Sequence, residues 1–161
     1  ETGNNTMLLI YGSGPLKKRL ESLSSSLKIE NFRIIESASS FKRLVMLYSI
    51  ADIFVLPTLE DRWGLVINEA MACGLPVIST HASQAALEMI VHGKNGFIIE
   101  AGNVEELYCA LKKLIIDDEL RRKLGSNARI TVKRYFNVNT MIIGFLKAIR
   151  YVLLSRKVRH R

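Results

Sequence analysis

DRWGLVINEAMACGLPVIST, residues 61–80, reads as a turn, a helix, a stop and a strand within twenty consecutive residues. From Leu65 to Cys73 the only polar side chains are Asn68 and Glu69. At about 100° per residue the near neighbours of Glu69 on that helix are Leu65, Val66, Ala72 and Cys73. Such a helix is expected to be buried nearly all round, to stop at Gly74, and to be followed by LPVIST as a buried strand. An ionised carboxylate in that setting needs a partner, supplied by another part of the protein or by a ligand. Glu69 therefore marks a candidate site.

Working outward, TMLLIY (6–11) reads as a strand and Gly12-Ser13-Gly14-Pro15 as a tight turn. The helical spacing of Leu16, Leu20, Leu23 and Leu27 follows. FRIIES (32–37) predicts a second strand and FKRLVMLYSIA (41–51) a helix; DIFVLPT (52–58) is a near-continuous apolar strand of the kind buried on both faces. Downstream come a short helix over 84–91, the HGKNG turn at 92–96 and a last strand, FIIE, at 97–100. Asn103 is placed to cap a helix from Val104 to Ile116, with further helices near 117–134 and 137–155. Short apolar strands separated by helical crossovers specify an α/β chain. The expected fold is a Rossmann-like parallel sheet with helices on both faces, ending in several helices. Ligands in such sheets collect beyond the carboxyl ends of the strands, where Gly12 to Gly14, Glu36, Thr58 to Gly64 and Ser79 to Gln84 are expected to converge.

A chain of 161 residues, 48 % hydrophobic and 24 % charged, suits one domain with a sizeable core rather than a disordered tail. No uninterrupted run reaches the roughly 18–20 apolar residues of a membrane span and no signal peptide opens the chain, so a cytoplasmic protein is expected. Cys73 and Cys109 fall at apolar helical positions, and His81, His92 and His160 are scattered, so neither a disulfide nor a bound metal is indicated. The net charge of +8 is uneven: the last fifteen residues hold Lys147, Arg150, Arg156, Lys157, Arg159 and Arg161 and no acid. A solvated tail and an anionic membrane surface both suit that end, and IIGFLKAIRYVLLSRKVRHR fits a helix lying in a lipid interface, peripheral on the inner face of the membrane. No nucleic-acid-binding motif surrounds these charges, so nucleic acid is not an expected partner. The start, Glu1-Thr2-Gly3 without methionine, reads as a cut, and Asn4-Asn5-Thr6 matches a glycosylation sequon by three residues only.

A helix beginning at Leu65 leaves its first amides free and turns its positive dipole end toward the sheet edge, a natural seat for a phosphate. Gly64 lets an anion approach the backbone, and Asp61 stands ready to accept hydrogen bonds from hydroxyls beside it. A phosphate, one carboxylate a helical turn inward and a second outside fit a nucleotide-sugar. The same residues also allow Asp61 to cap the helix and Glu69 to meet a buried Arg or Lys. Gly12 and Gly14 form a Gly-x-Gly without the third glycine of a dinucleotide fingerprint, and His81 and Ser83 have no partners at the spacing of a catalytic triad.

LEDRWGLVINEAMACGLPVIST, with YGSGPLKKRL and ADIFVLP before it and HGKNGFII after it, resembles the C-terminal, donor-binding half of family-four retaining glycosyltransferases of the GT-B fold, bacterial surface-polysaccharide enzymes among them. The most specific part is an acid, an aromatic and glycine, and a second acid eight residues after the first: Asp61, Trp63, Gly64 and Glu69. The resemblance implies that Glu69 binds the ribose hydroxyls, Asp61 the hydroxyls of the transferred sugar, and the amides of Leu65 and Val66 the diphosphate. Gly12, Gly14, Trp63 and Gly64 would complete the donor site. It implies no cofactor and no obligatory metal, with the nucleotide-sugar as substrate and a glycan or lipid-linked acceptor held by an N-terminal domain. That domain, the first strand–helix unit of this half and the family's basic pair for the diphosphate would all precede residue 1. Residues 1–161 would then be a single nucleotide-sugar-binding domain, inactive alone. Asp61 stands where glutamate is usual, and Glu36 and Gln84 where glycines are usual. A non-catalytic nucleotide-sugar-binding module and a nucleotide-sugar 2-epimerase remain as alternatives.

Overall fold

The computed structural model describes residues 6–36 and 41–159, with the backbone alone for Phe41 and residues 156–159. The sequon at Asn4, the chain start, His160 and Arg161 lie outside the described residues. The elements run β1 (Leu8–Tyr11), α1 (Lys17–Ser26), β2 (Phe32–Ile35), α2 (Phe41–Ile50), β3 (Phe54–Leu56), α3 (Leu65–Ala72), β4 (Val77–Thr80), α4 (Gln84–Met89), β5 (Gly96–Ile99), α5 (Val104–Ile116), α6 (Asp118–Tyr135) and α7 (Val138–Arg159). They divide into two compact units, residues 1–46 and 47–161, with the boundary inside α2.

In the first unit β1 pairs parallel to β2, from Leu8 opposite Phe32 to Tyr11 opposite Ile35. A parallel pair needs a crossover, and α1 supplies it. Lys17, at the start of α1, donates to the carboxylate of Glu36, just past β2. That bond and the attraction between the charges hold the Glu36 carboxyl below its usual range and raise the Lys17 ammonium. Both side chains are solvent-exposed, so the pair is screened and contributes little to stability.

The second unit carries a parallel sheet in the order β3-β4-β5. The apolar run LPVIST becomes its central strand, and all four β4 residues are buried. Ser79 and Thr80 lie inside because their hydroxyls donate to the carbonyls of Leu56 (3.0 Å) and Thr58 (2.7 Å). Successive strand residues point to opposite faces. Ile78 joins Phe97, Ile99, Ala110, Leu114 and Leu124 in a core beneath α5 and α6, while α3 packs on β3, β4, α4 and α6. A Cβ on Gly125 would stand 2.2 Å from the Gly74 carbonyl oxygen, so α6 meets the end of α3 backbone to backbone only because residue 125 is glycine. The expected cap is present, Asn103 accepting from the Glu106 amide, and the structure adds two more, Asp117 accepting from Leu120 and Asn137 from Thr140.

Two expectations are corrected. Helix α3 is buried on one side only: Ile67, Ala70 and Met71 are inaccessible, but Leu65 is 67 % exposed and Ala72 and Cys73 face solvent. Its apolar composition is general, whereas neighbours cover a single face. Every residue from Val138 to Ser155 in α7 is exposed, and within 118–155 an 18-residue window averages a hydropathy of 1.4. By length and composition this helix is therefore apolar enough to cross a membrane. Lys147 and Arg150 break the apolar run without lowering its mean enough to disqualify it.

Candidate donor site at the start of helix α3

The loop leaving β3 is fastened to the loop leaving β4. The Asp61 amide donates to the Ala82 carbonyl (3.1 Å), and the Trp63 carbonyl accepts from the Ala85 amide (2.8 Å) and the Ser83 hydroxyl (3.0 Å). Within the turn, Asp61 Oδ1 accepts from the Trp63 amide at 3.0 Å. Asp61 thus closes a local turn and does not cap α3. The residue before the helix is Gly64, in the left-handed region at φ +87°, with no side chain to cap it. A Cβ there would lie 2.8 Å from Ser83 Oγ and 3.1 Å from Asp61 Oδ2. Glycine is required by the backbone angle and by the fit between the two loops, beyond any approach of an anion.

The first turn of α3 begins with Gly64 O accepting from the Ile67 amide at 2.9 Å. The amides of Leu65 and Val66 have no acceptor among the described residues, so two N–H groups remain directed out of the positive end of the helix. One turn further in, the half-buried Glu69 accepts from Tyr48 Oη at 2.8 Å through Oε2. The donor is thus a phenol rather than a buried Arg or Lys, and among the described residues no cation pairs with Glu69. Cys73, one turn beyond, has its thiol pushed up by partial burial; Arg129 opposes that shift and Glu69 adds to it.

Asp61, Trp63, Gly64, Leu65, Val66 and Glu69 are therefore brought together at one sheet edge. Gly12 and Gly14 belong to the first unit. Gly12 takes φ +149° and donates its amide to Ile35, and space is open around both glycines. Trp63 is 39 % exposed. His81 pairs with Glu100 at 3.2 Å. Tyr48 was not singled out from the sequence; its one signal is a polar tip among the apolar positions Leu44, Leu47 and Ala51 of its helix face. The role of Ser83 in fastening the two loops was equally hidden, because its partner is a backbone carbonyl twenty residues away. No group of three or more metal-ligating side chains occurs among the described residues.

Comparison with known proteins gives this geometry a context. The chain is 30 % identical over 135 residues to the capsular polysaccharide biosynthesis glycosyltransferase CapM of Staphylococcus aureus, covering 84 % of the chain but 35 % of that protein. It spans about a third of the length of the curated relatives it matches. Among solved structures, the C-terminal domain of the glycosyl transferase group 1 family protein LpcC from Francisella tularensis superposes with a TM-score of 0.72 at 28 % identity, over 76 % of this chain and 63 % of that one. The Anabaena protein Alr3699/HepE in complex with UDP-glucose gives 0.72 at 25 % identity, over 90 % and 42 %. The pattern of the family "Glycosyl transferases group 1" runs through residues 1–131, from β1 past the Asp61–Glu69 stretch and into α6, and by that match the chain belongs to this glycosyltransferase family.

Proposed function

We propose that this chain is the donor-binding part of a retaining hexosyltransferase, which moves a sugar from a UDP- or GDP-linked donor to a glycan or lipid-linked acceptor in polysaccharide or glycoconjugate synthesis. The observation that carries this reading is the pair of unsatisfied amides at Leu65 and Val66 with the Glu69 carboxylate one turn inside the same helix. The amides and helix dipole suit the diphosphate, whose charge grows as it leaves; stabilising a leaving group in this way is a large term in catalysis. Glu69 Oε1 and the open lone pairs of Oε2 accept from the ribose diol. Asp61 has Oδ1 engaged by Trp63 and keeps Oδ2 for hydroxyls of the transferred sugar. No side chain here acts as a general base, and the reaction needs no metal on this reading. The UDP-glucose complex of the HepE relative supports a nucleotide-sugar as the ligand class. The test is calorimetric titration with UDP, GDP and UDP-sugars. One nucleotide is expected to bind, and Glu69→Ala to weaken it at least tenfold with the fold intact. Binding unchanged by Glu69→Ala overturns the site.

The lipid-linked acceptor is consistent with peripheral attachment to an anionic membrane through α7. Val138, Ile142, Phe145, Ile149 and Val152 share one face of this exposed helix, and Lys147 and Arg150 lie on the other. Both cations fall near its middle. Crossing a bilayer would place them at the centre at about 2.5–3.5 kcal/mol each, so lying in the interface is favoured. The chain is expected to sediment with phosphatidylglycerol vesicles at low salt and not with phosphatidylcholine vesicles. Equal binding to both, or binding that survives Phe145→Asp, refutes this attachment.

A further inference from the structure

Tyr48 lies in the last turn of α2 with 8 % of its surface exposed. Its ring is set against Phe54 of β3, centroids 5.8 Å apart and planes at 58°. That contact fixes the phenol, and its hydroxyl donates to Glu69 Oε2 at 2.8 Å. Among the described residues no other side chain donates to this carboxylate.

We infer that Tyr48 is a positioning residue for the donor site: its phenol holds the Glu69 carboxylate in the orientation that receives the ribose diol. The proposal rests on the reading of Glu69 as the ribose ligand and adds to it a residue nothing else assigns. A free glutamate side chain samples several rotamers, and ordering it on binding weakens affinity. A hydrogen bond from a wedged aromatic ring removes that freedom before the ligand arrives. The donor's chemistry also matters. A lysine or arginine in the same place would neutralise the carboxylate, whereas a phenol brings no charge. The full anionic character is left for the two neutral ribose hydroxyls, whose bonds to a charged acceptor are the stronger for it. A carboxylate has about four lone-pair sites, so the phenol occupies one and the diol can still be chelated.

The experiment measures the affinity of UDP and of 2′,3′-dideoxy-UDP for the 161-residue chain, for Tyr48→Phe, for Glu69→Gln and for the double variant. Tyr48→Phe keeps the ring packing and removes only the hydroxyl, and thermal melting checks that the fold is retained. The expected result is a loss of about five- to tenfold in UDP affinity with the dideoxy ligand unaffected, since only the diol uses the oriented carboxylate. In the Glu69→Gln background, Tyr48→Phe is expected to change nothing further. Unchanged UDP affinity in Tyr48→Phe, while the parent still prefers UDP to the dideoxy ligand, overturns the positioning role alone. Equal loss for both ligands assigns Tyr48 to general structure and also overturns it. A parent that fails to distinguish the two ligands removes the ribose reading of Glu69, and this inference with it.

Discussion

Replacing Gly64 by alanine separates the two reasons for glycine at the entrance to α3. The left-handed backbone, φ +87° and ψ +58°, costs an L-residue about 1–2 kcal/mol. The added Cβ would stand 2.8 Å from Ser83 Oγ, so the hydroxyl must turn away from the Trp63 carbonyl, and losing that bond costs about 1 kcal/mol. Gly64→Ala is therefore expected to destabilise the second unit by about 2–3 kcal/mol. In a Ser83→Ala background the obstructing oxygen is already gone and only the backbone cost remains. The double variant should then be about 1 kcal/mol more stable than the two single effects together, outside the ~0.5 kcal/mol scatter of independent sites. Urea unfolding followed by the fluorescence of Trp63, the one tryptophan in the chain, measures all four proteins. Additive effects would refute the close fit between the two loops, and a Gly64→Ala variant as stable as the parent would refute the strain argument as well.

Leu114, wholly inaccessible between β4, β5 and α6, should cost about 2–5 kcal/mol on replacement by alanine; a shift in the urea midpoint worth less than 1 kcal/mol, by the same relation, would mean that this core collapses around the cavity. Burial disfavours the Cys73 thiolate, so alkylation of Cys73 by iodoacetamide should reach half its maximal rate above the ordinary thiol value of 9.0. Arg129→Ala removes the opposing cation and should move that midpoint higher still. A midpoint below that of a free thiol would contradict the placement of the side chain.

Much of the second unit was legible because its signals are local. The run VIST reads as a doubly buried strand, the spacing of 104–116 as a helix, and Asn103 as its cap, since a cap is a bond between residues three apart. The Asp61–Glu69 stretch pointed to a site because a carboxylate on an apolar helix demands a partner. Which partner was not legible. Arg or Lys and a ligand were both open, and the answer, Tyr48, lies 21 residues away on another helix. Asp61 as helix cap and α3 as a fully buried helix failed for a related reason, since both depend on what packs beside the turn rather than on its composition. Hydrophobic period, turn residues and caps act through neighbours a few positions apart, so the chain by itself determined its elements and their parallel alternation, and marked the Asp61–Glu69 stretch as a candidate site. The bonds that fasten Trp63 to Ser83 and Tyr48 to Glu69, and the one-sided cover of α3, arise only when parallel packing brings distant segments within about 3 Å, where hydrogen bonds form, and those the tertiary structure alone decided.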